Sequence, residues 1–437
     1  MTLRPAILVL AALTAVQLCP AQTISTHTTV RHHREADDSD YSQEISQAED
    51  AMSKNDFASA EKTLLDVTGK DPNNYRAWFD LGFIYNATNK AADSIAAYRK
   101  SVAANPEIFE STLNLGIMLA RAHDPEAENF LRKATTLKPS AHQEEGWYRA
   151  WLMLGQVIDK TKPQDAVEAF QNAAKLNPTQ PDPHLDAGIV LEREKRYPQA
   201  AAEFQKAVEL DPKSTEALAG LVNAYSQSGQ VAQAEPAIRR FIALDPNNAT
   251  AHIQLGRLLA AQKKFPEATA ELETGLKLQP GDADAERQLA GIYLEQKQFA
   301  AAKPHIEAAL KSAPSDAQLH HWLGQAYLEE KKFPEAGNEF VTAIKLDPKL
   351  GEAYGDLAFT ASEVKNYPLV LKALDARASL LPETPLTYFL RATAYDHLQD
   401  PKQAALNYHK FLDIAGGRYP DQEWQAKHRL IAIEPKK

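Results

Sequence analysis

Histidine and cysteine are the side chains most often recruited for nucleophilic, acid–base or metal chemistry. This 437-residue chain spreads them thinly, with thirteen histidines and a single cysteine, Cys19. One cysteine excludes a disulfide framework and a Cys-based zinc site. His32-His33 with Asp37, Asp38 and Asp40 is the densest group of potential ligands. It lies in the stretch 22–40, which has no apolar period to fix ligand geometry and reads as a solvated tether. His320-His321 is the one pair inside a helical pattern. Adjacent residues on a helix point in different directions, so these two read as separate groove or interface histidines. The chain contains no G-x-S-x-G, G-x-G-x-x-G, G-x-x-x-x-G-K-[ST] or H-E-x-x-H. Catalytic residues, cofactor and metal are therefore all expected to be absent.

Charge narrows the partner classes. Forty-eight basic against 58 acidic residues give a net −10, which argues against the basic face that phosphate-backbone binding needs. Apolar residues make up 44% and charged residues 24%, enough to bury a sizeable core. The basic doublets Arg239-Arg240, Lys263-Lys264 and Lys331-Lys332 fall on second helices or turns and read as solubilising charge. At the N-terminus, Arg4 precedes the apolar run Ala6 to Leu18. Thirteen residues are too few to cross a bilayer but fit the core of a secretory leader. Cleavage after Ala21 is expected, which removes Cys19 and leaves no membrane span. Leu18 stands where a lipoprotein signal would have a small residue, so lipid anchoring is not expected. The implied location is the periplasm or cell envelope.

What must position any functional side chain is a repeat. Prolines at 72, 106, 139, 178, 212, 246, 280, 314, 348 and 382 are spaced 34, 33, 39, and then 34 six times over. A period of this length indicates stacked supersecondary units and overrides the prior of about three domains that length alone would suggest. Within a unit, apolar residues recur at three and four twice over, as in Ala251 to Gln262 and then Phe265 to Leu278. Proline opens the second helix in YPQA (197–200) and FPEA (265–268, 333–336), where its missing N–H has no partner to lose. Pro236 and Pro304 lie a little deeper and are expected still within the first turn.

The pattern resembles the tetratricopeptide repeat family over residues 41 to 415. The family's first-helix motif appears as Trp78, Leu81, Gly82 and Tyr85, and its second-helix motif as Ala200, Phe204, Ala207 and Pro212. Small residues recur at Gly82, Gly116, Gly155, Gly188, Gly256 and Gly324 in first helices. In second helices they recur at Ala60, Ala166, Ala200, Ala234, Ala268, Ala302, Ala336 and Ala404. Ser94 and Val370 replace the alanine, Val222 replaces the glycine, the third unit is one residue short, and 140–147 holds an insertion. The resemblance implies an all-α, right-handed superhelical solenoid of about eleven antiparallel helix pairs over 41–416. A capping helix is expected within 417–437, with Trp424 and Leu430 turned inward.

In that family the first helices line a concave groove, which makes Asn223, Arg257, Arg287, His321, Trp322 and Gln325 the candidate peptide-binding residues. Trp322 is the natural anchor, in a column that runs Asp186, Gln254, Gln288, Trp322, Asp356. The column that would supply a carboxylate clamp contains no lysine. Asp80 and Asn114 are similar to the asparagine ladders of members that present substrates to a glycosyltransferase, so recruitment of an envelope enzyme is one alternative. A holder of unfolded exported chains is another. The reading favoured is a non-enzymatic scaffold for protein partners, with no nucleic acid bound and the oligomeric state open.

Overall fold

A computed structural model of the chain describes residues 41–434. The leader expected at 1–21 and the tether expected at 22–40 lie outside the described residues. All regular structure among the described residues is α-helical. The chain divides into two compact units at Leu244/Asp245.

The first unit holds six helix pairs. They are α1 (Ser42–Ser53) with α2 (Phe57–Lys70), α3 (Tyr75–Ala87) with α4 (Ala91–Ala104), and α5 (Phe109–Arg121) with α6 (Ala127–Ala134). Then follow α7 (Gln143–Ile158) with α8 (Pro163–Leu176), α9 (Asp182–Arg193) with α10 (Tyr197–Leu210), and α11 (Thr215–Gln227) with α12 (Val231–Leu244). The second unit holds α13 (Ala249–Ala261) with α14 (Phe265–Leu278), α15 (Ala283–Glu295) with α16 (Phe299–Ser312), and α17 (Ala317–Glu329) with α18 (Phe333–Leu346). After α19 (Gly351–Glu363) with α20 (Tyr367–Ala378) and α21 (Pro385–His397) with α22 (Pro401–Ala415), α23 (Pro420–Ile433) closes the described residues. Eleven pairs and one further helix match the repeat count read from the prolines.

Each boundary has a local cause. Two residues past the loop proline, Asn74, Ser214, Asn248, Asp282 and Asp316 cap the next first helix, their side chains accepting from backbone N–H groups that the helix leaves without partners. In ten of the eleven pairs the tight turn is made by one residue at positive φ: Asn55, Asn89, His123, Lys195, Gly229, Lys263, Lys297, Lys331, Lys365 and Gln399. Thus the leading lysine of the doublets Lys263-Lys264 and Lys331-Lys332 sits in left-handed backbone, at a steric cost that glycine would not carry. Lys263→Gly and Lys331→Gly are each expected to stabilise the chain by about 0.5–1 kcal/mol, measured by urea unfolding.

The recurring small residues sit where the paired helices come closest. A Cβ on Gly82, Gly116, Gly155, Gly188, Gly256 or Gly324 would fall 2.5–2.8 Å from Tyr98, Leu131, Phe170, Phe204, Leu272 or Phe340 of the paired helix. Only a bare backbone admits those rings and branched chains so close. Ala60, Ala166, Ala200, Ala234, Ala268, Ala302, Ala336 and Ala404 are all fully buried. Ser94 fits the alanine site because its hydroxyl donates to Gly82 O at 2.8 Å. In the third unit, which is one residue short, α6 has only eight residues and Ala127 stands at the buried small position.

Two local expectations are corrected. Pro236 and Pro304 each stand sixth in their helices, inside the second turn, and so remove a hydrogen bond to Ala232 O and to Ala300 O. Trp424 does not turn inward: it is 60% exposed, its ring tilted against that of His428 with centroids 3.9 Å apart. Ala426 is the buried residue of α23, with Leu430 and Ile433 packed against the last core cluster. Apolar residues lie all round this helix, so its pattern does not single out one face.

Candidate binding face

Within each unit, first helices of successive pairs come into contact: α1 with α3, α5 with α7 and α9 with α11, and then α13 with α15, α17 with α19 and α19 with α21. Successive second helices do not approach as closely. The side on which neighbours crowd is the inner side of the stack, so first helices line it.

In the second unit the inner side chains bind one another across repeats. Arg257 Nη2 donates to Asp282 Oδ1 at 3.3 Å, and Arg287 pairs with Asp316. Both aspartates are also N-caps, which locks each arginine to the start of the next first helix. The Arg287 guanidinium lies 5.8 Å from the Trp322 ring, a cation–π arrangement. Trp322 in turn packs toward Gly291, where a Cβ would be 3.6 Å from the indole. His321 is only 4% exposed. Its Nε2 meets Asp356 Oδ2 at 2.9 Å, and Gln325 Nε2 donates to the same oxygen at 3.0 Å. Five of the six candidates therefore lie in this unit. Arg287 joins Trp322, and His321 joins Gln325 around Asp356. Arg257 stands apart with Asp282, and His321 acts from beneath the surface by holding Asp356. Asp356→Ala is expected to cost about 1–3 kcal/mol, because it strips the buried His321 and the half-buried Gln325 of their shared partner. Asp356→Asn should recover most of that in the same melt.

Asn223, the sixth candidate, belongs to the first unit, where its amide donates to Glu192. Burial holds the Glu192 carboxyl above the usual range, and the Asn223 hydrogen bond opposes that. Nearby, Gln156 Nε2 donates to Asp186 Oδ2 at 2.9 Å, joining α7 to α9. Burial, aided by the charges of Asp182, Glu216 and Asp159, pushes the Asp186 carboxyl up to about 6 against the Gln156 hydrogen bond. Tyr148 responds to the same surroundings: burial, then Asp182 and Asp186, raise its hydroxyl to about 12. A cleft of about 640 Å³ opens here between α5, α7 and the α8–α9 loop, lined by Ile117, Leu152, Met153 and Tyr148 together with Glu144, Glu145 and Asp182. The column through Trp322 includes Asp186, but column spacing does not point to Tyr148, Glu144 or Asp182. Charge counted by helix face along 143–186 is the signal that does.

A second ladder joins the two helices of a pair. His184 Nδ1 lies 2.7 Å from Glu203 Oε2. His252 meets Glu271 and His320 meets Glu339, both at 2.6 Å. The other ring nitrogen of His252 and of His320 reaches the carbonyl of the loop proline, Pro246 O at 3.0 Å and Pro314 O at 3.1 Å. One rung is reversed, with Glu286 on the first helix and His305 on the second, at 2.6 Å. His320 and His321 thus serve different helices. Among the described residues no three potential metal ligands come together, and no helix is long and apolar enough to cross a membrane.

Antiparallel helix pairs repeating every 34 residues, each lending one helix to the inner side of its own unit, define a helical-repeat interaction protein. A tetratricopeptide repeat model matches residues 45–107, 157–215, 220–283 and 287–350, more than half the chain, and a second model of that repeat matches 191–242. The chain belongs to the tetratricopeptide repeat family. Solved structures with similar folds include MamA from Desulfovibrio magneticus RS-1, at 21% identity over 38% of this chain and 94% of that one, TM-score 0.35. Another is yeast Tom70, at 14% identity over 90% and 96%, TM-score 0.33. A third is YrrB, described as having an unusual peptide-binding site, at 20% identity over 51% and 96%, TM-score 0.29. No curated protein matches the chain.

Proposed function

We propose that this protein is a non-enzymatic scaffold of the cell envelope that binds partner polypeptides along the inner face of its repeats. Membership of the repeat family supports a protein–protein interaction role. The observation that carries the rest is the make-up of the inner face. Trp322 remains partly exposed there, held by Arg287, while cross-repeat pairs hold the neighbouring side chains in place. A preordered aromatic and amide surface gives up little conformational entropy on meeting an extended peptide. The leader expected at 1–21 is what supports export.

Affinity capture with the wild-type chain, Trp322→Ala and Arg257→Ala tests the scaffold reading. A small set of partners lost together on Trp322→Ala is the expected result. Many weak partners that persist would favour a general holder of unfolded chains. Turnover in hydrolase or transferase assays that disappears with an inner-face variant would overturn the non-enzymatic reading. Intact mass of the protein recovered from the envelope fraction should correspond to a chain beginning at Gln22.

A further inference from the structure

The cleft of the first unit differs in character from the inner face of the second. In the second unit Arg257 and Arg287 each have an acidic partner from the next repeat. In the cleft, Arg149 is committed to Glu145 at 2.6 Å, while Glu144 and Asp182 have no cationic partner among the described residues. These carboxylates line the cleft together with the apolar side chains of Ile117, Leu152 and Met153 and with the half-buried Tyr148. The volume, about 640 Å³, lies in the range that accepts a few side chains.

We propose that this cleft binds a lysine- or arginine-bearing segment of a partner polypeptide. The cationic heads would lie between Glu144 and Asp182, and a neighbouring apolar side chain against Ile117, Leu152 and Met153. The inference rests on the scaffold reading and adds the chemistry of the partner. Charge complementarity carries it: surplus carboxylates sit beside an apolar surface that a bare cation would not use. Tyr148 offers the face of a ring to an ammonium or guanidinium group. Proximity to Asp186 adds a pH dependence. The groups facing Asp186 are Tyr148, Gln156 and Asp159 from α7 and its end, Asp182 on its own helix and Glu216 from α11. None of these is a cation. Arg193 lies nearest by connectivity, and it is occupied with Asp159 at 3.0 Å. The Asp186 carboxyl, pushed up to about 6 by burial, takes up its proton between pH 7 and pH 5, so negative charge beside the cleft falls over that interval.

The test uses the purified full chain and fluorescence anisotropy with three probes. They are a labelled dodecapeptide alternating lysine with leucine and alanine, the same peptide with glutamate for lysine, and spermine as competitor. The lysine peptide should bind, weaken about tenfold or more between low and moderate salt, and weaken about tenfold in the Glu144→Gln/Asp182→Asn double variant. Glu168→Gln/Glu209→Gln, which removes exposed carboxylates from the second helices, should bind like the wild type. Affinity should also fall from pH 7 to pH 5, and Asp186→Asn should flatten that fall. Equal loss in both double variants would overturn the cleft as the site. Equal binding of the glutamate peptide would overturn the cationic preference while leaving the scaffold reading standing. Competition by spermine matching that of the peptide at equal charge would overturn a polypeptide ligand. If neither peptide binds, the inference falls, while the scaffold reading stands or falls on the affinity capture with Trp322→Ala.

Discussion

Gly324→Ala should destabilise the chain by about 1–3 kcal/mol, although alanine is ordinarily the better helix former by about 1 kcal/mol. A Cβ at this position would lie 2.5 Å from the Phe340 ring, which is fully buried and cannot swing away. The hairpin α17–α18 must open to admit one methyl group. Gly337, on α18 of the same pair, supplies the control. There a Cβ would meet only Thr360 Cγ2 at 3.7 Å, an ordinary contact. Gly337→Ala should therefore show the propensity gain, roughly 0.5–1 kcal/mol of stabilisation. Urea unfolding of the two variants beside the wild type checks both signs. Equal stabilisation by both substitutions would mean that the close approach of α17 and α18 is not what the glycine is for.

The second large effect runs the other way. Asp186→Asn is expected to stabilise the chain by roughly 2–3 kcal/mol at pH 7. The folded state raises this carboxyl from 3.8 to about 6, chiefly by burial and further by the acidic groups around it. The sign follows directly. A raised folded value means that the folded state prefers the protonated form. That preference stabilises fully below 3.8 and is lost as pH rises through about 6. At neutral pH the chain therefore carries the ionised form at a cost, which asparagine removes while its carbonyl oxygen still accepts from Gln156. Melting temperatures across pH 4 to 7 should show this contribution in the wild type and lose it in Asp186→Asn. A variant no more stable than the wild type at pH 7 would show that Asp186 is better solvated than its burial implies. A carboxylate kept at such a cost on an inner face, where asparagine would fold better, fits a role in attracting a cation.

The repeat is legible because its determinants are local or strictly periodic. Prolines at fixed intervals, with glycine on one helix and a ring or branched residue about sixteen positions later, stand out in the bare string of residues. Each of the six first-helix glycines sits against that side chain. The cross-repeat pairs are not legible in the same way. Arg287 with Asp316, and His321 with Asp356, depend on the rotation of one helix relative to the next. The sequence does not state that angle. The histidine–glutamate rungs fall between these cases. His184, His252 and His320 recur beside Glu203, Glu271 and Glu339 at a constant separation of nineteen, and the exchange at Glu286 and His305 keeps that separation. Two columns that trade residues within one chain are in contact, and the trade is written in the residue order itself. Trp424 shows the opposite failure, since a helix with apolar residues all round leaves burial to its neighbours.

The lysines at positive φ have a practical corollary. Lys195, Lys263, Lys297, Lys331 and Lys365 are exposed and stand at whole multiples of 34 residues from one another, each at a point where the chain doubles back. Limited trypsin digestion should therefore nick the molecule at regular stations. The fragments would differ by integral numbers of repeats, and their relative yields would report which hairpins breathe and which stay shut.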